Sequence, residues 1–310
     1  MNRVPWRSFV LYLILCPLFF SCRHPPAPTQ FRGVAMTIPY CIQIGDALDD
    51  EKTLLVEKTI LSLFSEINTT YNNWNPSSEI SQLNRLPAGQ KVFLSPQLSS
   101  FLIYVNQIVA FTEGRFDPTV EPLQLLWKKC LKEGHLPPQE SLDTLTPVIG
   151  WGKVHFENGQ FWKDHSLTAI DLGGIAKGYA VDILVERLST LGFSRVYVEW
   201  GGEIRTHGHH PQSRPWKIGI EGLKTIELSN AAIATSGSYA QQWTIDQVNY
   251  THIIDPDFKH PLYNSPISSV SVIASTCREA DALATALMLF HSKEAADLWA
   301  KEKKIKAFIW

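Results

Sequence analysis

Five β-type segments follow one another in the second half of the chain with no helical stretch between them: RVYVEW (195–200), WKIGI (216–220), AAIATS (231–236), QQWTI (241–245) and ISSVSVIA (267–274). Their apolar and β-branched runs, bounded by Gly, Pro, Asn and Ser, read as strands. Helical periodicity is confined to the flanks. Asp49 and Asp50 are caps for an amphipathic helix with Leu54, Leu55, Ile60, Leu61, Phe64 and Ile67 as its apolar face. Ser95 as N-cap, Pro96 in the first helical position and Gly114 past the end punctuate a second helix. A third runs from about Gly174 to Leu191 and stops at Gly192. Helices at about 278–290 and 292–303 and a last strand, KAFIW, close the chain, and MTIPYCIQI (36–44) reads as a strand near its start. Strands that come in a block cannot build a doubly wound parallel sheet. The expected fold class is α+β, one domain of mixed or antiparallel sheets packed by helices.

The chain has 310 residues, 45% hydrophobic and 19% charged, which is globular composition with enough length for a substantial core. A net charge of −2 provides no basic footprint, so no nucleic-acid partner is expected. Residues 1–21 read as a signal peptide. Arg3 and Arg7 precede an apolar run, Phe9 to Phe20, that is shorter than the roughly 20 residues of a membrane span. Ser21 directly before Cys22 resembles a lipoprotein cleavage box, with Phe19 where leucine is usual. Cys22 is therefore the expected lipidation site; a conventional cleavable signal is the alternative. Residues 22–31, rich in proline, then fit a tether that lifts a domain (32–310) off a membrane surface. This predicts a lipid-anchored protein of the bacterial cell envelope whose domain faces the periplasm. Cys41, Cys130 and Cys277 are an odd, scattered set with neither a disulfide framework nor zinc spacing.

Three stretches carry chemistry. DLGGIAKGYAVD (171–182) has two acids, three glycines and a lysine, yet it matches neither the dinucleotide fingerprint nor the Walker loop. Two readings stay open. A glycine corner at a helix start offers N–H groups to an anion, with Lys177 adding a point charge and Asp171 accepting from a hydroxyl or ring N–H; or the corner is packed for close backbone approach. In ADALATAL (280–287), Asp281 and Thr285 are i and i+4, so a carboxylate and a hydroxyl share one helix face. That pair suits a hard cation such as Mg²⁺, or it is a helix-terminal acid with a core-facing threonine. In THIIDP (251–256), His252 is the best general-base candidate by type, or a strand-end histidine before a turn. ATSGSY (234–239) and GGEIRTHG (201–208) read as polar glycine turns, and HGHH (207–210) as solvated.

The order in which MTIPY, SSEISQLN, GRFDPTVEPL, DLGGIAKGYAVD, GGEIR, ATSGSY, HIIDP and ADALATAL occur, from residue 36 to 287, resembles the ApbE family of FAD:protein FMN transferases. The resemblance covers essentially the whole mature chain. It implies binding of FAD and Mg²⁺, and transfer of FMN through a phosphoester bond to a Thr or Ser of an acceptor protein with release of AMP. It also implies FAD contacts from Met36, Trp74, Phe116, Asp117, Pro118, Asp171, Lys177 and Ile254. Gly174, through its carbonyl, with Asp281 and Thr285 would hold the metal, and His252 is the expected catalytic base. The chain departs from the family pattern at Thr37, where glycine is common, at Glu203, where aspartate is frequent, and at Lys259-His260, where a Thr-Gly turn is usual. The implied acceptor is an exported or membrane protein with a periplasm-facing hydroxyl, such as subunits of a sodium-translocating NADH:quinone reductase. Two further readings use the same residues: an FAD pyrophosphatase, with water as acceptor, and a non-catalytic FAD-binding lipoprotein.

Overall fold

The computed structural model describes residues 27–220 and 225–310. The expected signal peptide, Cys22 and the first part of the expected tether lie outside the described residues. The chain enters as a hairpin of β1 (Thr29–Ala35) and β2 (Ile38–Ile44), paired from Thr29↔Ile44 to Ala35↔Ile38. Residues 29–31, expected in the tether, therefore belong to the sheet, and Met36-Thr37, expected in a strand, form its two-residue turn. Both turn residues have positive φ, +48° and +67°, as the twist of a tight hairpin requires. Thr37 is β-branched, and a left-handed L-residue costs roughly 1–2 kcal/mol. Thr37→Gly should therefore stabilise the fold by about 1 kcal/mol, read as a higher urea midpoint; an unchanged or lower midpoint would show that the turn carries no such strain.

Helix α1 (Asp50–Thr70) starts where Asp49 Oδ1 accepts the Lys52 N–H at 2.8 Å. It buries Val56, Ile60, Leu63, Phe64 and Ile67, whereas Leu54, Leu55 and Leu61 of the expected apolar face are exposed. Short α2 (Glu79–Asn84) and β3 (Val92–Phe93) lead to α3 (Pro96–Phe111), capped by Ser95 and followed by Gly114 at φ +82°. After α4 (Glu121–Lys132) and α5 (Gln139–Leu145), β4 (Val154–Glu157) and β5 (Gln160–Lys163) form a small sheet with β3. Next comes α6 (Ala176–Thr190), stopped by Gly192 at φ +93°. The hairpin of β6 (Val196–Trp200) and β7 (Glu203–His207) turns at Gly201-Gly202, so GGEIRTHG is a turn for two residues and a strand thereafter. The remaining strands are β8 (Trp216–Ile218), β9 (Ile226–Leu228), β10 (Ala232–Gly237), β11 (Gln242–Ile245), β12 (Val248–Asp255), β13 (His260–Tyr263) and β14 (Ser269–Ala274). Then α7 (Cys277–Leu287), α8 (Lys293–Glu302) and β15 (Lys306–Ile309) end the chain.

Seven strands make the main sheet, in the order β1-β2-β6-β7-β10-β14-β15. Every neighbouring pair is antiparallel, as are those of the smaller sheets, so the α+β expectation holds and no parallel pairing enters among the described residues. Strand alternation sorts the residues by face. Ile42, Ile44, Val196, Val198 and Trp200 meet α1, α3 and α6 in the largest core cluster, and α7 with α8 covers Ala234, Val270 and Val272. The opposite face buries Ile204 and Ile233 under Trp216, Ile218 and Leu228 of the β8–β9 ribbon. Among the described residues Cys41, Cys130 and Cys277 are free and buried. Among the described residues no helix is long and apolar enough to cross a membrane.

Candidate active site

The site begins where α6 and α7 touch. A Cβ on Gly178 would stand 2.4 Å from the Cys277 carbonyl oxygen, so only glycine permits this approach of the two backbones. At the contact the Gly178 N–H donates to Asp281 Oδ2 at 3.0 Å. One turn earlier, a Cβ on Gly174 would lie 3.1 Å from Phe116 Cε2 and 3.2 Å from Thr285 Oγ1. Gly174 thus meets Thr285 and Gly178 meets Asp281, although about a hundred positions separate each pair in sequence. Thr285 Oγ1 also lies 3.1 Å from Ser236 Oγ at the end of β10.

Charge is concentrated at the same place. Lys177 Nζ donates to Glu203 Oε1 at 2.5 Å, and Glu203 is delivered by the Gly201-Gly202 turn. Glu203 is 1% exposed and Asp281 3% exposed, and among the described residues the second Glu203 oxygen has no partner. Burial pushes the Glu203 carboxyl up to about 8, against the pull of Lys177 and helped by the nearby Asp281 charge. Asp281 is likewise raised by burial, although Lys177 and the Gly178 N–H oppose it. Burial disfavours the Lys177 ammonium, but the Glu203 and Asp281 carboxylates outweigh it and raise its pKa. With both carboxyls ionised, the single ammonium would leave the site one positive charge short; the raised pKa of Glu203 means a proton can fill that place, and a bound cation would displace it. Carboxylate, hydroxyl and backbone oxygens suit a hard cation of the Mg²⁺ type, which keeps waters and takes phosphate oxygens. Among the described residues no three His, Cys, Asp or Glu side chains gather as a metal cluster, HGHH included. A cation here would therefore complete its shell with other oxygens.

Above this floor opens a cleft of about 380 Å³. Of the residues expected at the site, Phe116, Asp117, Pro118, Asp171, Gly174, Lys177, His252, Ile254, Asp281 and Thr285 all line it. Trp74 stands at its mouth, 65% exposed, with the Lys128 ammonium 4.6 Å from its ring centroid. Met36 is the exception. The hairpin turn that holds it packs its side chain, partly buried, against the main core, and it does not line this cleft.

Several lining groups already have partners. Asp117 Oδ1 accepts the Thr119 N–H at 2.8 Å and its hydroxyl at 2.6 Å, and Oδ2 accepts the Trp151 N–H at 3.2 Å. Its carboxylate thus braces the turn at 118–120. Asp171 Oδ1 accepts the Gly173 N–H at 2.7 Å, which folds the glycine corner on itself, and it shares the Asn73 amide with Glu121. Burial raises both acids, Glu121 to about 8 with the Asp171 charge adding to it. His252 projects from β12, two residues from Ile254, and its buried Nδ1 has no partner among the described residues. Burial lowers its pKa, opposed by a ring N–H donated to the Gln241 backbone carbonyl, and the Lys128 and Lys177 charges lower it further.

Sequence reasoning missed the other cations of the cleft, Arg115 and Lys128, and the polar groups Gln124 and Gln241. Gln124 and Lys128 are i and i+4 on α4, a readable spacing, but nothing in the sequence shows that this face of α4 meets β12.

The sequence profile of the ApbE family matches residues 34–309. The FAD:protein FMN transferase of Chlamydia pneumoniae is 43% identical over 302 residues, 96% of this chain and 95% of that protein. The Vibrio cholerae protein of that name is 32% identical over 91% of this chain and 87% of its own length. The crystal structure of the Pseudomonas stutzeri flavinyl transferase ApbE in its apo form superposes with a TM-score of 0.82 at 27% identity, covering 91% of this chain and 90% of that one. Matched in sequence over nearly its whole length and in fold to solved members, the chain belongs to the ApbE family.

Proposed function

We propose that this chain is an FAD:protein FMN transferase that uses Mg²⁺ and moves FMN from FAD to a Thr or Ser hydroxyl, releasing AMP. The observation that carries the reading is that Gly174, Asp281 and Thr285 line one cleft, with Gly174 against Thr285 and Asp281 held by Gly178, beside a second buried carboxyl, Glu203. Similarity to FAD:protein FMN transferases over almost the full length supports the reaction class.

In the step itself, the acceptor oxygen bonds to the FMN phosphorus and the bond to the AMP phosphate breaks. AMP leaves with the bonding pair, and the hydroxyl proton passes to His252 Nδ1, a ring nitrogen with no other partner. A neutral imidazole is needed for this, and burial favours that form. Arg115, Lys128 and Lys177 would face the pyrophosphate, and the acids Asp117, Asp171, Glu203 and Asp281 that also line the cleft leave part of its charge to be met by a bound cation. When bound, Mg²⁺ would withdraw charge from the phosphoryl oxygens and the leaving phosphate. Asp281, Thr285 and Gly174 would hold it; Trp74, Phe116, Asp117, Pro118, Asp171 and Ile254 would shape the FAD pocket.

The signal peptide with Cys22 supports a lipid-anchored protein on the envelope, its domain facing the periplasm. A membrane protein exposed there, such as a subunit of a sodium-translocating NADH:quinone reductase, is the matching acceptor. The test is incubation of the mature chain with FAD, Mg²⁺ and such an acceptor. Covalent flavin fluorescence on the acceptor in a denaturing gel is the expected result. FMN and AMP without labelled protein would make it a hydrolase, and unchanged FAD would make it a flavin-binding protein.

A further inference from the structure

The second acid of DLGGIAKGYAVD, Asp182, has no part in the cleft and yet is wholly buried on α6. Its Oδ1 accepts the Cys277 N–H at 2.7 Å and Arg205 Nη1 at 2.8 Å, and its Oδ2 accepts the Arg278 N–H at 3.1 Å. Cys277 and Arg278 open α7, whose own N-cap residue, Thr276, makes no side-chain cap bond. The first N–H groups of a helix need outside acceptors. Here a neighbouring helix supplies them.

The geometry makes this a registration device. Gly178 and Asp182 are one turn apart on α6, and Cys277, Asp281 and Thr285 are successive turns of α7. Asp182 grips the first of those turns and the Gly178 N–H the second, by its bond to Asp281. Two grips one turn apart fix both the rotation and the axial position of α7. A slip of one residue would rotate Asp281 by about 100° away from the corner. Glu203 and Asp281, buried together beside a single ammonium, repel, so α7 needs a hold outside the charged floor.

We propose that Asp182 is a positioning residue for the cation site, setting the register of α7 on α6 and thereby placing Asp281 and Thr285 against Gly174. This rests on the Mg²⁺ reading above. Groups that orient ligands from behind typically change metal affinity about 10–100-fold when removed.

The test is Mg²⁺ titrated calorimetrically into the FAD-loaded mature chain, with thermal midpoints measured alongside. Asp182→Asn keeps an acceptor for one α7 N–H but turns an NH₂ group toward the other, and should raise half-saturating Mg²⁺ at least tenfold. Arg205→Met removes a buried charge partner but leaves both α7 bonds. It should lower the thermal midpoint and leave the Mg²⁺ midpoint within twofold. An equal Mg²⁺ shift in both variants, or none in Asp182→Asn, would make Asp182 a stability element only and overturn the proposal. Should Asp182→Asn fail to fold, a second change, Thr276→Asp, restores an acceptor at the N-cap. Folding with parent-like Mg²⁺ binding in that double variant supports the proposal; an unfolded or weakly binding one sinks it. A parent chain that takes up no Mg²⁺ overturns the metal reading itself, and this inference with it.

Discussion

Asp281→Asn should reduce flavin transfer by roughly 10²–10³-fold, the scale on which removal of transition-state charge stabilisation is felt. Without Mg²⁺ the same variant should be at least as thermally stable as the parent. The two effects have one cause. The amide oxygen of Asn still accepts the Gly178 N–H, so the helix contact at 3.0 Å survives. What disappears is one of two buried carboxylates that share the single Lys177 ammonium. Losing it relieves repulsion with Glu203 in the metal-free chain and removes the charge that would hold the metal. Transfer is read as covalent flavin fluorescence on the acceptor, stability as the melting midpoint in chelator. Full transfer by the variant would remove Asp281 from the metal site, and a lower midpoint in chelator would contradict the charge count.

The helix boundaries readable in the sequence were those set by local chemistry. Asp49 and Ser95 cap the helices they were expected to cap, and Gly114 and Gly192 lie just past helix ends with positive φ. What depends on a distant partner was harder to read. Strand β1 has no turn signal of its own and follows a proline-rich stretch; its existence is decided by β2, with which it pairs over its whole length. Leu54, Leu55 and Leu61 are as apolar as the residues α1 buries, but the layer beneath selects the stripe through Val56, Ile60, Leu63 and Ile67. The site divides in the same way. Asp281 and Thr285 were legible because one helix turn separates them. Glu203 was not, because it reaches Lys177 only through the pairing of β6 with β7, and its lack of a second partner is a fact of burial. Of the two readings of the glycine corner, close backbone approach is what Gly178 shows against Cys277, and Gly174 packs against Phe116 and Thr285.

His252→Ala should slow transfer by roughly 10²–10⁴-fold, the usual contribution of a general base, with FAD binding nearly unchanged. The imidazole of the parent is poised for this by burial, which penalises its charged form and lowers its pKa below the ordinary value, while Lys128 and Lys177 push the same way. A base whose pKa is lowered is already in its accepting form at neutral pH and stays so on mild acidification. The acid limb of the parent pH–rate profile should therefore lie below about 6.5, the pKa of an unperturbed histidine, and the limb should vanish in His252→Ala. The lowered value has a consequence for stability as well. The folded chain resists protonating His252 more than the unfolded chain does, so this residue costs stability as pH falls through the unfolded pKa and none above it. Replacing it with alanine should flatten that part of the stability profile. An acid limb at or above 6.5, or one that persists in His252→Ala, would assign the proton to another group. Nearly full transfer paired with a large loss of FAD affinity would instead make His252 a contact for the flavin substrate.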